Sequence, residues 1–333
     1  MKVEIKNESE VYEIELLQIT QLCGLDFKKK DFILNSLYKY FSGSKYADHE
    51  SCYQDNILVD GEKVGRKYFS VFRLKRREDL IDMIKLTKSS LMMKYLLEQL
   101  PDFECQKEMD AIAEHLDKLY LRMNQELSEK IHHIELCYEQ KKFLEIIQTS
   151  IIAGEGEEPL EKLSNYELLD TYLDLLMQMQ TRRPEKYMII LENLDHMLSY
   201  QEYSKTFDRL NKVCGKSDTW FVISTSLEGF VMLDSEFFSG ITIINEMIYT
   251  LPEKEKIISF LQNNYPCEKE LSPSQIMDAF RVSIHDIGKS GYDLNIQSKV
   301  MLKLINDSLC VSSSEKININ QLEKCFLMDK NVV

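Results

Sequence analysis

Glycine and proline are scarce, at 11 and 6 of 333 residues, which excludes long disordered linkers and favours a helix-rich chain. The eight cysteines are scattered singly, with no C-x-x-C pair and no Cys/His cluster at zinc spacing. They read as reduced thiols of a cytoplasmic protein. No apolar run approaches the roughly 20 residues that a membrane-spanning helix needs. The opening Met1-Lys2-Val3-Glu4-Ile5 is charged and strand-like, unlike a leader, so a soluble chain with no membrane partner is expected. An excess of basic charge is also missing: the formal net charge is −14. Any contact with nucleic acid must therefore come from local basic clusters on an acidic background. What remains, 44% hydrophobic and 29% charged, is the composition of an ordinary globular protein able to bury a sizeable core.

The first residues alternate polar and apolar, with a break at Lys6–Glu10, as in a β-hairpin. A strand over Leu16–Leu22 ends at Gly24. From Asp26 the period becomes helical, with Phe27, Ile33, Leu34, Leu37, Tyr38 and Phe41 on one face up to Gly43. Residues Asn56–Gly65 predict a second hairpin turning at Asp60-Gly61, followed by a strand at Lys67–Arg73. From Glu78 to Thr181 the pattern is helical, four or five helices broken at Ala153–Pro159. Buried strands at Tyr187–Leu191, Trp220–Thr225 and Ile241–Asn245 alternate with a helix at Ser199–Cys214, which predicts a mainly parallel sheet covered on both faces. Helices follow at Glu253–Asn263, Pro273–Ile287, Asn295–Leu309 and Asn320–Leu327.

A phosphate-binding loop reads G-x-x-x-x-G-K-[ST] between a strand and a helix: the glycines let backbone amides wrap the phosphates, the Lys neutralises them and the hydroxyl holds Mg²⁺. Here Gly24-Leu25-Asp26-Phe27-Lys28-Lys29-Lys30-Asp31 sits between a strand and a helix. Gly24 keeps the first glycine and Lys30 the lysine, but Lys29 replaces the second glycine and Asp31 the hydroxyl. An ABC-type ATPase also carries an apolar strand ending in Asp-Glu. Pro184-Glu185-Lys186-Tyr187-Met188-Ile189-Ile190-Leu191-Glu192-Asn193 has that layout, with Glu192 in the metal-aspartate place and Asn193 in that of the catalytic glutamate. Asn cannot act as a general base toward water. Asp195 stands where such ATPases have a second Asp. The following strand runs into Thr225-Ser226-Leu227-Glu228 without a switch His, and Leu163-Ser164-Asn165-Tyr166-Glu167 is a poor match to the signature segment. The expected fold is α/β: a degenerate P-loop, ABC ATPase-like sheet core (residues 1–77 and 182–252), an inserted α-helical domain (78–181) and a helical C-terminal extension (253–333). With its chemical positions altered, the chain is expected to be no enzyme and to need no ATP.

Gly24–Tyr40, Tyr187–Leu198 and Trp220–Phe230, in this order around a helical insertion, resemble the Csn-two family in its longer form, the CRISPR-associated adaptation protein of type II-A systems. The resemblance implies a ring-shaped homotetramer that threads double-stranded DNA ends through a basic hole without sequence specificity. It also implies calcium as a cofactor, a role in spacer acquisition, and the spacer integrase complex and RNA-guided nuclease as partners.

The basic clusters available for DNA phosphates are Lys28-Lys29-Lys30, Arg66-Lys67, Arg73 with Lys75-Arg76-Arg77, and Arg182-Arg183. Lys28–Lys30, at a helix N-terminus that favours anions, are the leading candidates. The acidic loop Gly154–Glu158 has no EF-hand spacing, so no calcium ligands are assigned. Ser283-Ile284-His285-Asp286 lacks the further ligands a metal phosphohydrolase needs, and adjacent His132-His133 on a helix face different ways. Two other functions stay open: a divergent P-loop ATPase that still binds nucleotide, and a protein-interaction scaffold without DNA binding.

Overall fold

The computed structural model describes the chain except residues 9, 44, 100–102, 132–133, 138–142, 228, 267–270, 290–295 and 310–333. The helix expected at Asn320–Leu327 and the pair His132-His133 lie outside the described residues. In chain order the elements are β1 (Lys2–Asn7), β2 (Glu10–Glu15), β3 (Ile19–Cys23), α1 (Phe27–Phe41), β4 (Ile57–Val59) and β5 (Ser70–Leu74). Next come α2 (Arg77–Ile84), α3 (Leu91–Gln99), α4 (Phe103–Lys130), α5 (Phe143–Thr149), α6 (Asn165–Arg182) and β6 (Tyr187–Glu192). Then follow α7 (Leu194–Met197), α8 (Tyr200–Cys214), β7 (Thr219–Ser224), α9 (Ser235–Phe238), β8 (Ile241–Ile244) and β9 (Ile248–Thr250). The last described helices are α10 (Lys254–Asn264), α11 (Pro273–Ser283) and α12 (Ile296–Ser308). This is a mixed α/β protein whose main sheet carries helices, as expected. None of the described helices is long and apolar enough to cross a membrane.

The chain falls into two compact units, Met1–Arg66 with Val222–Val333, and Lys67–Phe221. Residues 78–181, expected as an inserted helical domain, lie within the second unit.

In the first unit, β1 pairs antiparallel with β2 on one side and β4 on the other. Period-two alternation puts Val3, Ile5, Tyr12, Ile14, Ile57 and Val59 on the buried face. The hairpin expected over Asn56–Gly65 is only half formed: after Asp60-Gly61 the return arm makes a single bridge, Val59 with Glu62, because β4 spends its pairing on β1. Strand β3, buried at every residue, runs parallel to β8 and beside the Val222–Ser224 end of β7. The short β9, missed in the sequence, pairs antiparallel with β8. Helix α1 buries the stripe Lys30, Ile33, Leu34, Leu37, Tyr40 and Phe41. Helices α10, α11 and α12 close over β8: Leu261, Ile276, Phe280, Met301 and Leu302 share a core with Cys23, Phe238, Ile241 and Ile243.

In the second unit, β5 and β6 are parallel, from Ser70 opposite Tyr187 to Leu74 opposite Leu191, with the start of β7 beyond β6. Helices α2, α3, α6 and α8 bury Leu80, Ile84, Met93, Leu168, Tyr172, Leu176, Tyr203 and Phe207. Ser164 and Ser199 start α6 and α8 with reciprocal capping boxes to Glu167 and Glu202. The 28-residue α4 is different: none of its described side chains is buried.

A phosphate-loop remnant and a carboxylate strand closed by their own side chains

At the end of β3, Gly24 has φ +102°, and a Cβ there would lie 2.3 Å from the Ile244 carbonyl oxygen, so only glycine fits. Several of the amides in the phosphate-loop position have partners within the chain. Leu25 N–H donates to Asn245 Oδ1 at 2.7 Å, and Asp26 N–H to the Ile244 carbonyl at 3.2 Å. Asp26 caps α1 by accepting from Lys29 N–H at 3.0 Å, which puts a carboxylate where the helix terminus would take an anion. Asn245 is held in turn: its amide donates to the carbonyls of His285 (2.8 Å) and Ile287 (2.6 Å), in the turn that follows α11. His285, set aside as a ligand, has Nε2 3.0 Å from the Gly229 carbonyl.

The three lysines do different things. Lys30 is 2% exposed and donates from Nζ to the Thr225 carbonyl at 3.0 Å. Lys29 Nζ donates to the carbonyls of Asn245 (3.0 Å) and Glu246 (2.6 Å) at the end of β8, with Asp26 3.5 Å away. Lys28 is exposed. Asp31, in the Mg²⁺-hydroxyl place, accepts from the Asn35 amide at 2.8 Å. Lys30 and Lys29 are thus directed at backbone carbonyls, not toward solvent as the DNA reading of this cluster supposed. Sequence reasoning missed Asp26, Thr225, Asn245 and Glu246. Only their positions, at the helix cap and just beyond buried strands, marked them.

In the second unit, Glu192 ends the fully buried β6 and pairs with Arg73 Nε on β5; their side chains are 11% and 6% exposed. Lys75 Nζ stands 3.7 Å from the same carboxylate. The carboxylate that would hold a metal is therefore neutralised by a buried guanidinium, and Arg73 is unavailable to solvent phosphates. Asn193 adopts left-handed backbone (φ +55°) as the cap of α7, and the Asp195 side chain is 3% exposed. Arg77 donates to Asn165 Oδ1 at 2.6 Å, to the Glu161 carbonyl at 2.9 Å and to the Leu163 carbonyl, so it pins the signature-like segment at the start of α6.

Of the basic residues singled out in this unit, Lys67, Lys75, Arg76, Arg182 and Arg183 are exposed. Arg76 lies 3.6 Å from Asp79 and Arg183 3.2 Å from Glu185, while Arg182 stacks over Tyr95 at 5.3 Å. They do not form one patch. Lys75 and Arg76 follow the C-terminal end of β5, whereas Lys67, Arg182 and Arg183 precede the N-terminal ends of the parallel pair β5 and β6.

Calcium would need six to eight oxygens. Among the described residues no group of three or more His, Cys, Asp or Glu side chains could hold a metal ion. In the acidic loop Glu155, Glu157 and Glu158 are exposed, and Glu158 pairs with Lys162 at 3.3 Å. These residues do not fit a built calcium site within one chain.

Strand, glycine turn and helix at β3–α1, with an apolar strand ending in an acidic residue at β6, define an α/β protein with the layout of a P-loop ATPase core whose chemical positions are replaced. The family model described as CRISPR-associated protein Csn2 subfamily St matches residues 6–328, and the chain belongs to this family. Its fold is that of Stu0660 of Streptococcus thermophilus, at TM-score 0.83 and 19% identity over 98% of this chain and 99% of that one. An SMC head bound to the C-terminal winged-helix domain of ScpA gives TM-score 0.40 at 13% identity, over 78% of this chain and 98% of that one. The SMC head domain of Thermotoga maritima gives 0.32 at 14% identity, over 75% and 97%. No curated protein matches.

Proposed function

We propose that this CRISPR-associated protein is a non-catalytic binder of double-stranded DNA ends that serves spacer acquisition as a homotetrameric ring. Its partners would be the spacer integrase complex and the RNA-guided nuclease. The observation that supports this reading is the inward use of the nucleotide machinery: Lys30 on Thr225, the loop amides on Asn245 and Ile244, and Glu192 on Arg73. No group is left at Asn193 to take a proton from water. Exposed basic side chains remain on an acidic chain, Lys28 in one unit and Lys75, Arg76, Arg182 and Arg183 in the other. A closed symmetric ring repeats each of them once per subunit, and phosphate contact of this kind carries no sequence information.

Gel shifts test the proposal. Linear duplex should bind, closed circular duplex should not, and affinity should fall steeply with salt. Lys28→Gln and the pairs Lys75→Gln/Arg76→Gln and Arg182→Gln/Arg183→Gln locate the contact, because the last two clusters sit at opposite strand ends. Equal binding of linear and circular DNA removes the end-binding claim. Micromolar ATP affinity with Mg²⁺ by calorimetry would restore the divergent-ATPase reading. An absence of DNA binding at low salt would leave the scaffold.

A further inference from the structure

Between the end of α2 and the segment that follows α5, the second unit holds a cavity of about 490 Å³. Leu160, buried at 3% exposure, and the half-buried Leu86 and Ile152 line it. Ile151 lines it too, yet is 89% exposed. The rim is held within the chain: Lys85 pairs with Glu161 at 2.7 Å, and Arg77 donates to the Glu161 carbonyl at 2.9 Å. A preformed, mainly apolar cavity of this size is what ligand sites consist of.

Backbone and charge say what kind of ligand fits. Ser150 N–H donates to the Ile147 carbonyl at 3.0 Å, and Gly154 N–H to the Glu158 carbonyl at 2.7 Å. Between them, the amides and carbonyls of Ile151, Ile152 and Ala153 make no hydrogen bond among the described residues. Consecutive unused donors and acceptors beside an apolar cavity match the main chain of an extended peptide, which repeats its own at a similar spacing. The rim charge does not cancel. Lys85 is spent on Glu161 and Lys162 on Glu158, whereas the exposed Asp82, Glu155 and Glu157 form no ion pair among the described residues. They outweigh the exposed Lys88, next to the lining residue Thr87. A net acidic rim repels phosphates, nucleotides and fatty acids and attracts lysine and arginine.

We infer that this cavity docks an extended apolar segment of a partner protein, flanked by lysine or arginine. The segment's main chain pairs with Ile151–Ala153, and its apolar side chains enter beside Leu86 and Leu160. The inference goes beyond the proposed reading and needs neither DNA nor the ring. The test is fluorescence anisotropy of the full-length protein with labelled synthetic peptides. The probe is a short peptide with leucine at alternate positions and lysines at both ends. It should bind, and the same peptide ending in glutamates should bind about tenfold more weakly or worse. Of its two versions N-methylated at alternate backbone nitrogens, one should lose about tenfold and the other little, because only one edge of the peptide faces Ile151–Ala153. Ile151→Asp and Glu155→Lys/Glu157→Lys should each weaken the lysine peptide about tenfold with unchanged circular dichroism, since these side chains are exposed. The same charge change at exposed carboxylates of the first unit, Glu62→Lys/Glu253→Lys, should leave binding as it was. No binding of the lysine peptide, equal binding of the glutamate peptide, indifference to both N-methylations, or an equal loss in Glu62→Lys/Glu253→Lys overturns the proposal. A fall in sedimentation mass of Ile151→Asp with peptide binding unchanged overturns it too, and makes the cavity a contact between copies.

Discussion

Lys30 and Thr225 are joined at 3.0 Å, ammonium to backbone carbonyl, in a setting where the lysine is 2% exposed. In a working phosphate loop that lysine reaches outward to the nucleotide. Here it fastens α1 to the end of β7. Lys30→Met keeps the volume of the side chain but leaves the Thr225 carbonyl without this donor, at a cost of about 1–3 kcal/mol in urea unfolding. DNA affinity per folded molecule should not change, whereas Lys28→Gln should lower it.

Glu192 and Arg73 neutralise each other where neither has much access to water. Arg73→Met alone or Glu192→Leu alone breaks the buried pair, at a cost of up to about 3–5 kcal/mol, with Lys75 Nζ still 3.7 Å from Glu192 when Arg73 is replaced. The double replacement Arg73→Met/Glu192→Leu should cost less than either single change. A double-mutant cycle in urea reads the coupling directly.

Gly24 and Gly43 both have positive φ, at +102° and +68°, but differ in surroundings. Gly24→Ala must push β3 away from β8 because of the Ile244 carbonyl, and should cost on the order of 3 kcal/mol or more. Nothing lies within 4 Å of a Cβ at Gly43, so Gly43→Ala should cost only about 1 kcal/mol. Thermal denaturation of the two variants side by side checks the contrast.

The capping box of α8 carries a pH signature. The Ser199 hydroxyl, then its backbone amide, hold the Glu202 carboxyl below its ordinary value. A carboxylate lowered by folding stabilises the protein fully above its unfolded pKa, and that contribution is lost as the pH falls through the lowered value. Stability should therefore drop as the pH falls through and below the ordinary glutamate range, and Ser199→Ala should shrink the drop. Urea midpoints across that range measure it. Glu167, lowered by the Ser164 amide and then its hydroxyl, gives α6 the same behaviour.

Much of the architecture was legible in the chain, since β3, β6, β7 and β8 are continuous apolar runs and α1 and α8 announce themselves by period and cap. The altered positions Lys29, Asp31 and Asn193 were also plain. Their consequences were less so. Lys30 sits three, four and seven residues before Ile33, Leu34 and Leu37, so its place on the buried stripe was readable, but the motif drew attention to its charge instead. Arg73 lies between Phe72 and Leu74 on a strand that alternation would make half-exposed; cover on both faces of the sheet buries it, and only the fold supplies the second cover. Asn245 gave no local signal, because its partners at Leu25, His285 and Ile287 are far away in sequence.

The Asn245 amide has one more consequence. Loops that sense nucleotide do so because their N–H groups exchange partners when phosphate arrives. At Leu25, Asp26 and Lys29 that exchange has been pre-empted by side-chain and backbone oxygens of the same chain. These three amides should resist deuterium exchange in the ligand-free protein as strongly as those of an occupied loop, and adding ATP should not slow them further. At this junction three amides are held by oxygens of the same chain.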